Sequence, residues 1–391
     1  MSRILHLCLG NFYVDNFSYQ ENILPKYHKL QGHEVKIIAS LYTFNENGEP
    51  IYMKEAKSYY NENGIPVTRI KYRKVPFNKI LKAFDNAVLY NEISNFNPDI
   101  IFIHNFQFLS LKTIVKYLEN NSGKNIRVYV DSHADVKNSA KNWLSKNILH
   151  KIIWRHYAKI IEPYTTKFYG VSTPSVNFLK EIYHIPSEKI ELLLLGIDDE
   201  KVKQVIDPYI SKKIREKHNV KPSDFLIVTG GKIDNNKPQT LLLMQAIREM
   251  NIPNIKLIVF GSIIPELREK FNNLLGDSVI YVGWLESDDI YKYLSSADLV
   301  VFPGLRSVLW IQAIGLGKPC VFNYIGPGIT DDIDLGGNCI FLYENTVEEI
   351  KRVITEIMNN KNLYEQMKKV ASTKGMSTFS YKKIAEKSIR E

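Results

Sequence analysis

Three ionisable side chains, Asp131, His133 and Asp135, directly follow the strand-like run IRVYV. Histidine can exchange a proton near neutral pH, and a carboxylate beside it orients the ring and raises its basicity. This spacing predicts a reaction centre, with His133 as the proton-exchanging group and the two aspartates as its catalytic partners. The alternative is a loop in which the carboxylates cap backbone N–H groups and the histidine faces solvent. These three side chains are fewer ligands than a metal ion needs, so we expect no metal.

A glycine turn with nearby cations follows another strand-like run, FLIVT. Gly231 and Lys232 form the turn, and Lys237 comes just before a predicted helix. Glycine lets the backbone approach an anion, a helix N-terminus supplies unpaired N–H groups, and lysine adds a point charge. The turn therefore predicts a phosphate site, although so short a motif also occurs without function.

The loop before the helix-like segment VLWIQAIGLG could bind the same phosphate-bearing ligand. Ser307 is suited to the N-cap of this helix, whose dipole and free amides would attract an anion. Gln312 can donate and accept hydrogen bonds. The alternative is a capped helix that binds no ligand and places Trp310 in the core. The predicted contact residues of this segment are Gly304, Arg306, Ser307, Val308 and Gln312.

Residues near two further strand ends are candidates for binding a sugar. Gly10 leaves space beside the first strand, and Tyr13 and Phe17 could stack on a sugar ring, although aromatic residues more often lie in a core. Gln20 could hydrogen-bond the same ligand. His104 follows the run DIIFI and provides a second polar strand end.

Short apolar runs alternate with helix-like segments along the chain, which predicts an α/β fold with doubly wound parallel sheets. At 391 residues and 45% hydrophobic content, the chain can fill two cores. Ligands of such sheets bind beyond the carboxyl ends of the strands, where the candidate residues lie. The runs are ILHLCL, EVKIIAS, DIIFIH, IRVYVD, FLIVTG, IKLIVFG, VIYVGW, LVVFPG and CVFNY.

The boundary between the two predicted domains lies in the connector that follows the strand-like run ELLLLGI. This connector is rich in lysine and leads to the next strand-like run at Phe225. We therefore predict a first domain of residues 1–205 and a second domain of residues 206–375.

Part of the formal net charge of +9 lies in two basic stretches, Lys71–Phe84 and Lys137–Lys159. Their interleaved aromatic and aliphatic residues would suit an anionic membrane surface or a diphosphate-bearing ligand. The alternative is an amphipathic helix that covers a sheet and keeps its lysines in water. Because no nucleic-acid-binding module accompanies the charge, nucleic acid is not an expected partner.

Cysteine use and hydropathy indicate the compartment. The three cysteines show no metal-ligand spacing and two lie in apolar runs, so we interpret them as reduced core residues. The chain shows no secretory signal and no apolar run of about 20 residues. We therefore expect a cytoplasmic protein, with peripheral attachment to a membrane left open.

The segment FPGLRSVLWIQAIGLGKPCVF resembles the nucleotide-sugar site of the glycosyltransferases of family 4, and the resemblance extends over most of the chain. The family carries two acids where this chain has Gly304 and Gln312, and its donor-diphosphate cations fall on Lys232 and Lys237. The resemblance implies a GT-B fold, in which two Rossmann-like domains face a central cleft. It also implies that a C-terminal helix, residues 376–391, packs back on the first domain.

The resemblance further implies a retaining hexosyltransferase that needs no metal or other cofactor. A nucleotide-diphosphate sugar, expected to be UDP-linked, would bind the second domain, and a glycan or lipid-linked acceptor would bind the first. His133 would border both substrates, and the product would be a cell-surface polysaccharide made at the inner face of a bacterial membrane. Because Gly304 and Gln312 replace both acids, the alternative is an inactive relative that binds a partner glycosyltransferase or a glycan. A nucleotide-sugar epimerase would need further acids and histidines around the donor.

Overall fold

The computed structural model describes residues 1–44, 50–235 and 238–390, so the predicted phosphate ligand Lys237 lies outside the described residues. The chain divides into two compact units. The first contains Met1–Leu195 and the chain from Tyr381 onward, and the second contains Gly196–Ser380. Each unit is built around its own parallel sheet.

The first unit has an eight-stranded sheet in the order β10-β9-β8-β7-β1-β2-β6-β5. Only β5 runs antiparallel to its neighbour, and β3 and β4 form a separate two-stranded antiparallel sheet. The strands are β1 (Arg3–Cys8), β2 (Glu34–Ser40), β3 (Tyr42–Phe44), β4 (Pro50–Tyr52), β5 (Ser58–Tyr60), β6 (Pro66–Ile70), β7 (Ile100–His104), β8 (Arg127–Ser132), β9 (Lys167–Gly170) and β10 (Ile190–Leu192).

Helices cover both faces of this sheet, which is why its central strands are buried along nearly their whole length. A π-helical segment, Ser145–Trp154, leads directly into the fifth α-helix. The α-helices are α1 (Gln20–Leu30), α2 (Asn78–Leu81), α3 (Asn86–Phe96), α4 (Leu111–Asn120), α5 (Arg155–Ile161) and α6 (Thr173–Glu181).

The second unit has a six-stranded sheet, entirely parallel, in the order β13-β12-β11-β14-β15-β16. Its strands are β11 (Phe225–Gly230), β12 (Ile255–Phe260), β13 (Val279–Tyr281), β14 (Leu299–Phe302), β15 (Cys320–Asn323) and β16 (Cys339–Leu342). Its helices are α7 (Asp199–Val205), α8 (Pro208–Lys217), α9 (Gln239–Met250), α10 (Pro265–Asn272), α11 (Ser287–Ser296), α12 (Val308–Gly315), α13 (Val347–Asn359) and α14 (Lys361–Phe379). The predicted α/β fold with parallel sheets is confirmed in both units.

The chain returns to the first unit in its last helix, α15 (Tyr381–Ser388), which packs on α1. The Tyr381 ring stacks against Tyr27, and Ile384 and Ala385 are buried in the same cluster. The predicted return began at residue 376, but the helix that contains this residue, α14, belongs to the second unit.

The division between the units falls after Leu195, whereas we predicted it after residue 205. The difference is helix α7, which belongs to the second unit. Asp198 caps this helix by accepting a hydrogen bond from the Glu200 amide. Lys201 then holds α7 on the second unit through an ion pair with Asp288 at 2.7 Å.

The three cysteines, Cys8, Cys320 and Cys339, are buried and free, which confirms their interpretation as reduced core residues. Within the described ranges, no helix is both long and apolar enough to cross a membrane.

Candidate active site

Strand register brings His104 and Asp131 together at the carboxyl end of the first sheet. The two residues are paired neighbours on β7 and β8, so their side chains leave the same face of the sheet. His104 Nδ1 lies 2.7 Å from Asp131 Oδ2, and both side chains are fully buried. A strong buried polar pair therefore lies below the predicted reaction centre.

Asp131 is surrounded by donors. Its Oδ2 accepts from Gln20 Nε2 at 3.1 Å as well as contacting His104, and its Oδ1 accepts from the backbone amide of Asn105 at 3.2 Å. Both oxygens of the Asp131 carboxylate therefore have hydrogen-bond donors. The fold thus holds Asp131, which we predicted as a catalytic partner of His133, in place through these hydrogen bonds.

His133 lies between two carboxylates and keeps unused hydrogen-bonding capacity. Its Nε2 is 3.8 Å from Asp131 Oδ1 and 3.9 Å from Glu21 Oε1, so neither contact is a hydrogen bond. This nitrogen is buried and has no hydrogen-bond partner among the described residues, although 28% of the side chain remains exposed. A ligand hydroxyl could therefore complete its hydrogen bonding.

Glu21 is the residue of this site that sequence reasoning missed. It lies in the first turn of α1, where a carboxylate is favoured by the helix dipole, and only 2% of it is exposed. Asn11 donates a hydrogen bond to its Oε1. The signal in the sequence was an acid next to Gln20 at the start of the helix that follows the first strand, since such helices begin at the carboxyl end of the sheet.

Asp135 is separated from this cluster by the turn of its loop. Its carboxylate accepts hydrogen bonds from the amide N–H of Asn138 at 2.7 Å and from the Asn138 side chain at 3.0 Å. Asn138 in turn donates to the His133 carbonyl at 2.8 Å. These contacts match the alternative interpretation of Asp135, as a residue that shapes the loop carrying His133.

Gly10 is required by a close approach of two strand ends. A Cβ built on it would lie 1.8 Å from the carbonyl oxygen of Asn105, which no side chain can tolerate. Lys82, which we did not predict, donates to the Gly10 carbonyl, and burial lowers its pKa to about 8. The predicted space beside Gly10 is thus filled by neighbouring backbone and by a lysine.

The two aromatic candidates have different surroundings. Tyr13 is fully buried, and its hydroxyl accepts from Asn61 at 2.8 Å, so it cannot stack on a ligand as we predicted. Phe17 is 36% exposed, and its ring lies 5.3 Å from that of Tyr19 and 5.9 Å from that of Phe44. An aromatic surface is therefore present, with Phe17 as a member.

In the second unit, the predicted glycine turn comes at the end of β11. Gly231 has a φ of +117°, and a Cβ built on Gly261 would lie 1.9 Å from the Gly231 carbonyl oxygen. Two strand ends therefore meet through glycine backbone, as they do in the first unit. Lys232 is 66% exposed, and its Nζ lies 3.7 Å from Asp234 Oδ2, so its charge reaches solvent.

The start of α12 lies beside this turn, because a Cβ built on Gly231 would meet Leu309 at 3.4 Å. The helix begins at Val308, with Ser307 in the extended N-cap position, but the Ser307 side chain makes no capping hydrogen bond. No side chain therefore caps the first amides of α12, although the Trp310 amide donates to the Ser307 carbonyl at 3.1 Å. Trp310 is buried and stacks on Phe322 at 4.4 Å, so it lies in the core, as the alternative interpretation of this segment had it.

Two polar side chains of this region contain buried atoms with no hydrogen-bond partner in the described part of the chain. Gln312 is 4% exposed, and its Oε1 is unpartnered. Asp332 forms an ion pair with Arg306 through Oδ1 at 2.7 Å, and its Oδ2 is unpartnered. Arg306 also donates to the Ile329 carbonyl, so the guanidinium that we predicted to contact a ligand is engaged within the protein.

Paired parallel-sheet units with polar groups and glycine turns at the strand ends are typical of two-domain nucleotide-binding α/β proteins. Family models support a narrower assignment. The model described as Glycosyltransferase Family 4 matches residues 22–201, and the model described as Glycosyl transferases group 1 matches residues 210–374. This chain belongs to the glycosyltransferases of family 4.

Known proteins similar to the chain agree with this assignment. An uncharacterized glycosyltransferase of Methanocaldococcus jannaschii is 21% identical over 216 residues, which is 53% of this chain and 55% of the relative, so the chain matches about half of that relative's length. The Anabaena protein HepE, solved with UDP, has a TM-score of 0.66 at 16% identity over 98% of both chains. WaaG, a glycosyltransferase involved in lipopolysaccharide biosynthesis, has a TM-score of 0.63 at 15% identity over 99% of this chain and 100% of WaaG. These structures share the fold.

Proposed function

We propose that this protein is a retaining glycosyltransferase that moves a hexose from a UDP-sugar to a hydroxyl of a glycan or lipid-linked acceptor. The second unit would bind the donor and the first unit the acceptor, without a metal or other cofactor. The observation that carries the proposal is the position of His133, whose buried Nε2 lacks a hydrogen-bond partner and lies 3.9 Å from the Glu21 carboxylate.

This arrangement is suited to accepting a proton from a ligand hydroxyl. A ligand hydroxyl that reached His133 Nε2 would also lie close to the Glu21 carboxylate, whose charge could stabilise the charged form of the imidazole. Asp131 would keep the floor of the site in place through His104 and Gln20. His133 and Glu21 are therefore assigned as the groups that contact the reacting substrates.

The second unit offers groups suited to a diphosphate leaving group. The start of α12, which no side chain caps, and the exposed charge of Lys232 could stabilise the negative charge that develops when the glycosidic bond breaks. Gln312 Oε1 could accept a hydrogen bond from a donor hydroxyl. HepE was solved with UDP and with UDP-glucose, which supports a uridine-linked donor here.

Calorimetric titration of the full chain with UDP and a panel of UDP-sugars tests the donor assignment. We expect binding to wild type and a loss of about 1–3 kcal/mol in Gln312→Leu, because a ligand hydroxyl would lose its buried partner. Gln366→Leu, which changes an exposed residue on α14 of the same unit, is the matched control and should bind normally. No binding of any UDP compound at millimolar concentration would reject the proposal.

A second candidate function is favoured by the Arg306–Asp332 ion pair. The guanidinium is committed to Asp332 and the Ile329 carbonyl, and Gly304 and Gln312 carry no charge. A protein that binds a partner glycosyltransferase or a glycan without turnover would need no charged group there. UDP release measured with each UDP-sugar and a mixture of glycan and lipid-linked acceptors separates the two, since the inactive relative would bind ligand and release none.

Peripheral attachment to a membrane is the proposed location, supported by an exposed apolar surface beside the π-helical segment. Trp143 is 68%, Leu144 63% and Ile152 62% exposed, and Ile148 lies between them. Lysines interleave with these residues at positions Lys141, Lys146 and Lys151. Such a mixture suits the inner leaflet of a bacterial membrane, where apolar contact and anionic lipid act together.

Cosedimentation with vesicles tests this location. We expect wild type to bind phosphatidylglycerol vesicles and to bind phosphatidylcholine vesicles weakly, and the double variant Trp143→Ser, Ile152→Ser to bind neither. Val88→Ser, which changes an exposed apolar residue on α3, is the control and should bind like wild type. Equal binding by the double variant and wild type would reject this surface as the membrane contact.

A further inference from the structure

A continuous chain of three buried histidines connects the candidate active site to the C-terminal helix. His104 Nε2 lies 2.9 Å from His6 Nδ1, and His6 Nε2 lies 3.0 Å from His28 Nδ1. All three side chains are completely buried in the first unit. They come from β7, β1 and α1, so no short sequence motif contains them.

Both ends of this histidine chain contact oxygen atoms that accept hydrogen bonds. At the C-terminal end, His28 Nε2 lies 3.2 Å from the Ala385 carbonyl oxygen and 3.0 Å from Ser388 Oγ. The Ser388 hydroxyl donates to the same carbonyl at 2.9 Å, so its oxygen faces His28 as an acceptor. At the other end, Asp131 receives donors on both carboxylate oxygens, which identifies it as the charged acceptor for His104 Nδ1.

The number of hydrogens required exceeds what neutral rings can supply. The histidine chain contains four hydrogen bonds, and each needs one hydrogen. They are Asp131–His104, His104–His6, His6–His28 and His28–Ala385. Neither the Asp131 carboxylate nor the Ala385 carbonyl provides a hydrogen. A neutral imidazole carries a single N–H, so three neutral rings supply three hydrogens. With the Ser388 hydroxyl donating to the Ala385 carbonyl, one ring must therefore be an imidazolium.

The surroundings select His104 as that ring. Burial acts to lower its pKa, but the charge and hydrogen bond of Asp131, with a smaller contribution from Glu21, raise it above its usual value. Burial lowers the pKa of His6 and of His28, the latter to about 3. The charged and titratable groups that face the three histidines are thus Asp131 on β8, Glu21 on α1 and His33 after α1.

We propose that His6 and His28 are positioning residues that hold His104 as an imidazolium against Asp131, and thereby leave Glu21 as the one uncompensated carboxylate beside His133 in the described site. This inference rests on the proposed function for its catalytic consequence. In that function, Asp131 and His104 would form a fixed neutral pair, and the Glu21 charge would stabilise His133 when it takes the proton of the acceptor hydroxyl. A neutral His104 would still donate to Asp131 through Nδ1, but it would leave a second carboxylate without a counter-charge beside His133.

Long-range nitrogen–proton correlation NMR of the full chain tests the protonation pattern without any activity assay. At about pH 8 we expect His104 to be protonated on both nitrogens, and His6 and His28 to be neutral and protonated on Nε2. The contrary result is three neutral rings protonated on Nδ1. That pattern would arise if the Ser388 hydroxyl turned to donate to His28, and it would overturn the proposal.

Three variants separate a positioning role from a merely structural one. In His28→Leu the remaining two rings make two hydrogen bonds and need no extra proton, so His104 should become neutral at about pH 8. His28→Gln keeps a donor for Ala385 and an acceptor for His6, and should restore the His104 imidazolium. Ser388→Ala should leave the His104 signals unchanged, because the Ala385 carbonyl still accepts. A neutral His104 in Ser388→Ala would contradict the proposed direction of hydrogen-bond donation along the three histidines.

The catalytic consequence is measured separately. If UDP-sugar turnover is established, His28→Leu should lower kcat by up to about a hundredfold with little change in KM, and His28→Gln should recover most of it. An unchanged kcat in a His28→Leu variant that has lost the His104 imidazolium would overturn the positioning role. Absence of turnover in wild type would count against the proposed function and leave the NMR result standing. Should His28→Leu fail to fold, the wild-type and Ser388→Ala spectra still decide the protonation pattern.

Discussion

Arg306 Nη1 donates a hydrogen bond to Asp332 Oδ1 at 2.7 Å, joining the loop before α12 to the loop after β15. The Asp332 side chain is 4% exposed and that of Arg306 15%, so the pair is shielded from solvent. Asp332 belongs to the acidic run DDID, residues 331–334. Its observed partner is an arginine of the same unit.

Asp332→Ala should destabilise the second unit by roughly 2–4 kcal/mol, because it leaves a shielded guanidinium without its counter-charge. Urea denaturation at neutral pH measures the free energy of unfolding. Asp277→Ala removes an exposed carboxylate from the same unit and should change it little. Equal stability of the two variants would show that the ion pair contributes nothing measurable.

Glu21→Gln should lower kcat by about a hundredfold if the proposed transfer reaction is correct, since the amide cannot stabilise a charged His133. The measurement is UDP release under saturating donor and acceptor. Glu55→Gln changes an exposed carboxylate in the same unit and serves as the matched control. A Glu21→Gln variant with wild-type kcat would remove Glu21 from the site.

Stability should decrease as the pH falls from about 6.5 toward 3, because of His28. Burial lowers the pKa of His28 to about 3, whereas in the unfolded chain it has its ordinary value of 6.5. Between these values the unfolded state binds the extra proton, so the free energy of unfolding falls with pH by up to about 1.4 kcal/mol per pH unit. Denaturation at pH 7.5 and pH 5 should show a smaller pH effect in His28→Gln than in wild type, and an unchanged effect in the exposed-residue control His156→Gln. Identical pH effects in wild type and His28→Gln would contradict this prediction.

Gly10→Ala should destabilise the first unit by roughly 1–3 kcal/mol or more, because its Cβ would overlap the Asn105 carbonyl at 1.8 Å. Gly123→Ala is the matched control, since a Cβ there meets nothing within 4 Å. Thermal unfolding followed by circular dichroism measures both. A Gly10→Ala protein as stable as the control would mean that the two strand ends can separate without cost.

Much of the fold could be read from the order of apolar runs. All nine predicted runs overlap observed strands, because a strand covered by helices on both faces must be apolar along its length. The strands that sequence reasoning missed are short or polar. Examples are β9, KFYG, and β6, PVTRI, whose Arg69 is buried through hydrogen bonds to the carbonyls of Tyr13 and Ser40. Such strands depend on partners distant in sequence, which no local pattern reveals.

The sequence by itself determined the α/β class, the family resemblance, and the strand ends where the polar residues gather. It did so because hydrophobic periodicity and short-range motifs are local properties. Only the tertiary structure decided which of those residues meet. Parallel register places His104 against Asp131, and the first turn of α1 places Glu21 near His133. The closing helix α15 supplies the carbonyl that ends the histidine chain, 357 residues after His28. Contacts of that separation depend on how helices pack on the sheet, and they are the contacts that set the charge of each group in the site.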